Sequence, residues 1–289
     1  MNRIKGILFG GILGATVVGV LWFGTAPPTL PPSIQAELDW ANRQTHQAAA
    51  EALDPIDQLF AKAKKGTSEF AEEVLSFFGG KWKYLWSSEE EFRKYLQEQF
   101  AEKVLHPDEV KQAVEQTFKL YLKKCEQIDG DLFVRIRADV PDLESHPLDS
   151  QRFLNLVQQY MADTLRSSGD EIWESLLRDT VAGNVVVFIG EEIITQIIII
   201  VARRVGLTVA ATATSWETLG ISILVGFVLD WVWNWWTDPE GQLSNQLNQQ
   251  LDQLHRELRQ ELSKRMAQMS EARHVARIRV VEKALAEKK

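Results

Sequence analysis

The stretch from Val181 to Trp236 is predominantly apolar, yet it carries Glu191, Glu192 and Asp230 and closes on the run WVWNWW. That much apolar surface has to leave water, and its length places it in a membrane. Its polar punctuation divides it into two spans, about 183–202 and 219–236, separated by the small-residue stretch VGLTVAATATSWET. In the first span Asn184, Glu191, Thr195 and Ala202 are spaced seven, four and seven apart, with Glu192, Gln196 and Arg203 on the adjoining row. The polar groups therefore form one stripe, while Val186, Ile193, Ile197 and Ile200 point elsewhere, towards lipid. The second span repeats the logic with Ser222, Gly226, Asp230 and Asn234, each four residues after the last.

Antiparallel packing of the two spans brings the three acids to similar depth. A charge at the bilayer centre costs roughly 2.5–3.5 kcal/mol on insertion scales. Protonation, hydrogen bonds to Asn184, Thr195, Gln196 and Asn234, or a water-filled lumen between subunits would offset that cost. Two functions follow. The polar stripe either fixes the packing of a transmembrane hairpin or lines a proton or cation pathway in an oligomer, and an Ile-rich hairpin with a polar stripe favours assembly.

A second apolar stretch, Ile4 to Phe23, gives a helix of roughly 30 Å, enough to span a bilayer. Gly24-Thr25-Ala26 offers a small-residue cleavage site, but Trp22 and Phe23 sit where an interfacial belt would be and Pro27 follows, which favours an uncleaved signal-anchor. Gly6, Gly10 and Gly14 give this helix one face of small residues, suited to close helix packing. Arg3 and Lys5 then hold the N-terminus in the cytoplasm, and Arg203 and Arg204 mark the cytoplasmic end of the hairpin. Trp231, Trp233, Trp235 and Trp236 anchor the opposite interface. The sequence thus predicts an integral membrane protein, of the inner membrane if bacterial, with its bulk on the extracytoplasmic side and the lipid bilayer and further copies of itself as partners.

Charge is segregated along the chain. Residues 24–180 hold 18 basic and 28 acidic side chains, whereas residues 237–289 hold ten and eight, within a net charge of −8. An acidic central region argues against nucleic acid as a partner, because phosphate binding needs clustered Lys and Arg. Cys125 is the single cysteine, so an intramolecular disulfide and a zinc site of several thiolates are excluded. It lies on an apolar helical face and reads as a buried structural thiol.

Between the apolar segments the pattern is helical. Four prolines in TAPPTLPPS make a stiff spacer. Ser33 can cap a helix to about Leu53, Asp54-Pro55 starts the next, and Gly79-Gly80 end it. Ser88 and Glu91 have capping-box spacing, and His106-Pro107-Asp108 breaks one helix and starts another. Apolar positions at Val114, Phe118, Tyr121, Cys125, Ile128, Leu132, Ile136 and Val140 favour one long helix through Gly130. The competing reading makes FVRIRADV a strand paired with KWKYLW. A further helix runs from Leu148 to about Ser167. In the tail, Leu243, Leu247, Leu251, Leu254, Leu258 and Leu262 form a narrow stripe, which either builds a homo-oligomeric coiled coil or packs back on the chain's own helices. The basic stretch RHVARIRVVEKALAEKK could touch anionic lipid.

The expected fold class is all-α, divided into a signal-anchor helix (1–24), a Pro-rich spacer (25–33), an acidic helical domain (34–180), a transmembrane hairpin (181–236) and a C-terminal amphipathic helix (237–289). No GxxxxGK[ST], HExxH, GxSxG or strand-linked GxGxxG occurs, the five histidines are far apart, and no cofactor or metal site is expected. The expected function is a non-enzymatic, homo-oligomeric membrane scaffold, with an oligomeric pore as the alternative.

Overall fold

The computed structural model describes residues 30–80, 89–139, 148–170, 172–173, 196–197, 199–201, 204 and 241–286. Helix α1 spans Pro32–Glu51 and starts with a proline in its first turn, where a missing N–H breaks no bond. Its N-cap is Pro31 and makes no side-chain bond, so Ser33 lies inside the first turn and does not cap the helix as its position suggested. After a two-residue break α2 spans Asp54–Gly80, with Asp54 and Asp57 in the first turn complementing the positive end of the helix dipole. Helix α3 runs over Glu89–Lys103 and α4 over Pro107–Asp139. Residues 133–139 thus continue α4 as a helix; KWKYLW and the capping box at Ser88 lie outside the described residues. Helix α5, Ser150–Arg166, is capped by Asp149, whose carboxylate accepts from the Arg152 N–H at 2.7 Å. Gly169 takes a positive φ of 72° in the turn that follows. Helix α6, Gly241–Ala286, has 46 residues and is about 69 Å long. Every described element is a helix, which establishes the all-α class.

Helix α6 is the spine. The α1–α2 pair runs antiparallel along one flank: Thr67 meets Ser244, Lys64 pairs with Asp252, and Asp57 pairs with Arg259. Helix α5 packs along the other flank, also antiparallel, with Phe153 near Val281 and residue 173 near Gln268. Helix α4 closes the bundle against α1, α2 and α5. It is pinned to α1 by Arg135, which pairs with Glu37 and lies 4.0 Å over the Trp40 ring. Helix α4 therefore lies diagonally opposite the C-terminal half of α6, and only long side chains join the two across the core. Helix α3 packs on α2, with Phe70 and Phe100 edge to face at 5.5 Å. Gly66 permits this approach. A Cβ there would lie 1.7 Å from the Lys103 carbonyl oxygen, so no larger residue fits without moving α3.

The leucine stripe of the tail packs inward: Leu247, Leu251, Leu258 and Leu262 are all buried in the same core as Ile34, Phe60, Phe118 and Phe153. Of the two readings of that stripe, packing on the chain's own helices is the one observed. In the basic stretch that follows it, Arg273 and Arg277 are buried and face the core, whereas Arg279 and Lys283 are exposed.

The integral-membrane localisation expected from the apolar segments is also corrected. Among the described residues no helix is long and apolar enough to cross a membrane. The physical reason is visible where the first expected span is described. Ile197 and Val201 are buried in the bundle core, and Ile200, assigned from sequence to lipid, is half-buried against it. The expected spans 4–23 and 219–236, and most of 183–202, lie outside the described residues.

Candidate functional site

The chemistry-bearing side chains of the described residues gather along α6 at successive levels, each a cluster of ions and hydrogen bonds. At its N-terminal end the fully buried Thr67 hydroxyl bonds the Lys64 carbonyl at 2.8 Å and meets Ser244 Oγ at 3.1 Å. About three turns along, the Asp57 carboxylate joins His255 Nε2 at 2.8 Å and the Arg259 guanidinium, while the His255 ring stacks on Phe60 with centroids 4.9 Å apart. Burial alone would raise the Asp57 carboxyl. The hydrogen bonds and charges of Arg259 and His255 outweigh it and hold the group below the ordinary carboxylate value.

The middle level centres on Glu261, which is fully buried on α6. One of its oxygens accepts from Arg265 Nε at 2.7 Å, a spacing of four that puts both on one helix face. The other lies 2.8 Å from Arg204 Nη2, in ion contact but outside hydrogen-bond alignment. Arg265 also donates to Asp170 at 2.6 Å, and Gln268 accepts from Trp173 Nε1 at 2.9 Å. This level ties two separate stretches of chain, the segment after α5 and Arg204, to the spine. Burial would raise the Asp170 carboxyl, but the Arg265 bond and charge hold it low.

The third level is the most buried. Asp129, from α4, accepts from Arg273 Nε at 2.8 Å and Arg277 Nε at 2.6 Å, with all three residues at most 1% exposed. Beside it, Tyr121 shares a 2.8 Å bond with Ser270 and bonds the Met266 carbonyl at 3.2 Å. Cys125 is fully buried, as its place on the apolar face of α4 predicts, and burial raises its thiol above the ordinary value. Such a thiol is protonated at neutral pH and is a poor nucleophile. Burial likewise raises the Tyr121 hydroxyl.

A crevice lined by Phe133, Ile136, Leu148, Phe153, Val281 and Ala284 has a volume of about 10 Å³, the lower limit for a single water. Among the described residues no group of three His, Cys, Asp or Glu side chains could hold a metal ion. What the clusters do chemically is set axial register: each ion pair forms at one offset of α6 against its neighbours, and a slip of one turn would strand a buried charge.

Of the polar-stripe, charge and aromatic-anchor residues assigned to the membrane from sequence, Gln196 and Arg204 are described. Arg204, assigned to a cytoplasmic membrane face, instead contacts the Glu261 carboxylate and lies 3.8 Å from Glu257. Asn184, Glu191, Glu192, Thr195, Ser222, Asp230 and Asn234 lie outside the described residues, as do Arg3, Lys5, Arg203, Trp22, Trp231, Trp233, Trp235 and Trp236. Sequence reasoning missed Asp129, Glu261, Arg265, Arg273 and Arg277. The signal was present in α4, where Asp129 follows Tyr121 and Cys125 at a spacing of four and so puts a charge on a face that is otherwise buried. Comparison with protein-family models, with characterised proteins and with solved structures finds no match.

Proposed function

We propose that this chain is a non-enzymatic, self-associating helical scaffold. One observation carries the reading: the fully buried charges of α6, Glu261, Arg265, Arg273 and Arg277, are engaged by partner charges in clusters that set register. Catalytic sites instead hold titratable groups poised at a concave surface, free to meet a substrate. A spine of about 69 Å that fastens α2, α4 and, through one shared cluster, the segment after α5 and Arg204 is suited to holding surfaces at fixed separations. The pore alternative depended on a membrane setting and is not carried forward.

Sedimentation velocity of the full chain across a hundredfold concentration range tests the self-associating part. A mass that is a fixed multiple of 32.9 kDa is the expected result. A monomer at every concentration would overturn it.

A further inference from the structure

The Asp129 cluster contains two guanidinium groups and one carboxylate, all withdrawn from water. Asp129 engages both Nε atoms. Arg277 Nη2 also lies 2.6 Å from its Oδ1, without hydrogen-bond alignment. Arg273 Nη1, Arg277 Nη1 and Arg277 Nη2 are buried and have no hydrogen-bond acceptor. Arginine does not shed its proton in proteins, and Asp129 draws Arg273 further towards the charged form. The neighbouring Cys125 and Tyr121 are held neutral by burial, so neither supplies a compensating negative charge. His274, next along α6, is pushed towards its neutral form by burial. Glu261 is fully buried too, but it lies twelve residues earlier on α6, about 18 Å away along the axis, and is held by Arg265 and Arg204. Asp39 and Glu271, the carboxylates that act on His274, are half-buried and exposed and so remain in contact with water. Among the described residues one positive charge is therefore left over in the buried cluster, together with three donor nitrogens that lack acceptors. A buried charge without a counter-charge costs several kcal/mol. Water could accept from the donors, but it could not cancel the charge.

We propose that Arg273 and Arg277 hold a small monovalent inorganic anion, chloride in size and charge, in the core of the bundle between α4 and α6. A surplus of one charge selects against sulfate or phosphate, which would overcompensate it. A spherical anion also accepts N–H donors from several directions without the planar fit a carboxylate needs. The anion and Asp129 together neutralise the pair of guanidinium groups.

The test uses thermal unfolding of the full chain at constant ionic strength, with gluconate replaced stepwise by chloride. The wild-type midpoint should rise by roughly 3 °C for each tenfold increase in chloride above the dissociation constant. R277M removes the surplus charge and leaves the Asp129–Arg273 pair, so its midpoint should be the same in both salts. Equal wild-type midpoints in chloride and gluconate would overturn the proposal, as would a full chloride dependence retained in R277M. If R277M does not fold, crystals of the wild type grown in bromide decide the matter: an anomalous peak at the guanidinium Nη atoms supports the site, and its absence refutes it.

Discussion

Asn at position 129 would keep the shape of the Asp129 side chain and remove its charge, leaving two buried guanidinium groups with no carboxylate between them. Two unit charges 4 Å apart in an effective dielectric of 20 attract by about 4 kcal/mol. The carboxylate has two such partners, with Nε atoms at 2.8 and 2.6 Å. The Asn carbonyl still accepts one charged hydrogen bond, returning about 1.5–3 kcal/mol. A net cost of about 5–6 kcal/mol follows, at the top of the range of about 3–5 kcal/mol for breaking a single buried pair from one side, as two partners would require. This is a large share of the roughly 5–15 kcal/mol by which a folded domain is stable. Urea unfolding in gluconate buffer reads it directly, because the midpoint should fall while the slope is unchanged. The triple replacement D129L/R273M/R277M should lie within about 1 kcal/mol of wild type or above it, since an apolar set of similar volume needs no desolvation of ions. A D129N cost below about 1 kcal/mol with an unchanged slope would refute the reasoning, as would a triple variant as unstable as D129N.

Two glycines should respond in opposite directions. G66A drives a Cβ against the Lys103 carbonyl and should cost about 1–3 kcal/mol in urea unfolding, whereas G130A meets nothing within 4 Å in the middle of α4 and should stabilise by about 0.5–1 kcal/mol. R204M should cost about 1–3 kcal/mol by leaving one Glu261 oxygen buried without a cation, and a double-mutant cycle with E261Q should return a coupling of about 0.5–3 kcal/mol. His274 Nδ1 is buried without a partner and burial depresses the imidazole pKa, so the unfolded chain binds a proton more readily than the folded one. Stability should therefore drop as pH falls below the ordinary value of 6.5 towards the folded value, and H274F should flatten that limb of the denaturation profile. For Asp57 and Asp170 the depressed pKa places the loss lower: their contribution is complete above about pH 3.8 and disappears as pH falls through the folded values, so D57N and D170N should blunt acid unfolding.

Much of the helical framework was legible from periodicity and caps. The break at His106-Pro107, the continuity of α4 through Gly130 and the burial of Cys125 each follow from a local rule acting on a few neighbouring residues. What the sequence could not convey was the difference between an apolar face turned to lipid and one turned to protein. Ile197, Ile200 and Val201 satisfy a span criterion and a core criterion equally well, because hydropathy reports only that a side chain leaves water. The clusters on α6 were hidden for a related reason. Arg273 and Arg277 stand in a stretch rich in charge, where the default is a solvated face, and their partner Asp129 is 144 and 148 residues away. No local signal joins such residues; the pairing emerges only once α4 and α6 lie across the core from each other.

The place of the spine in chain order has a consequence for synthesis. Helices α1 to α5 leave the ribosome before α6, which packs against α1, α2 and α5. At roughly 5–20 residues per second, the 46 residues of α6 take about 2–9 s to emerge. During that interval the inward faces of α1, α2 and α5, together with Ile197 and Val201, have no α6 to cover them. The nascent chain should therefore engage chaperones strongly until α6 is out, and a stall before residue 241 should leave an aggregation-prone product although five of its helices are already complete.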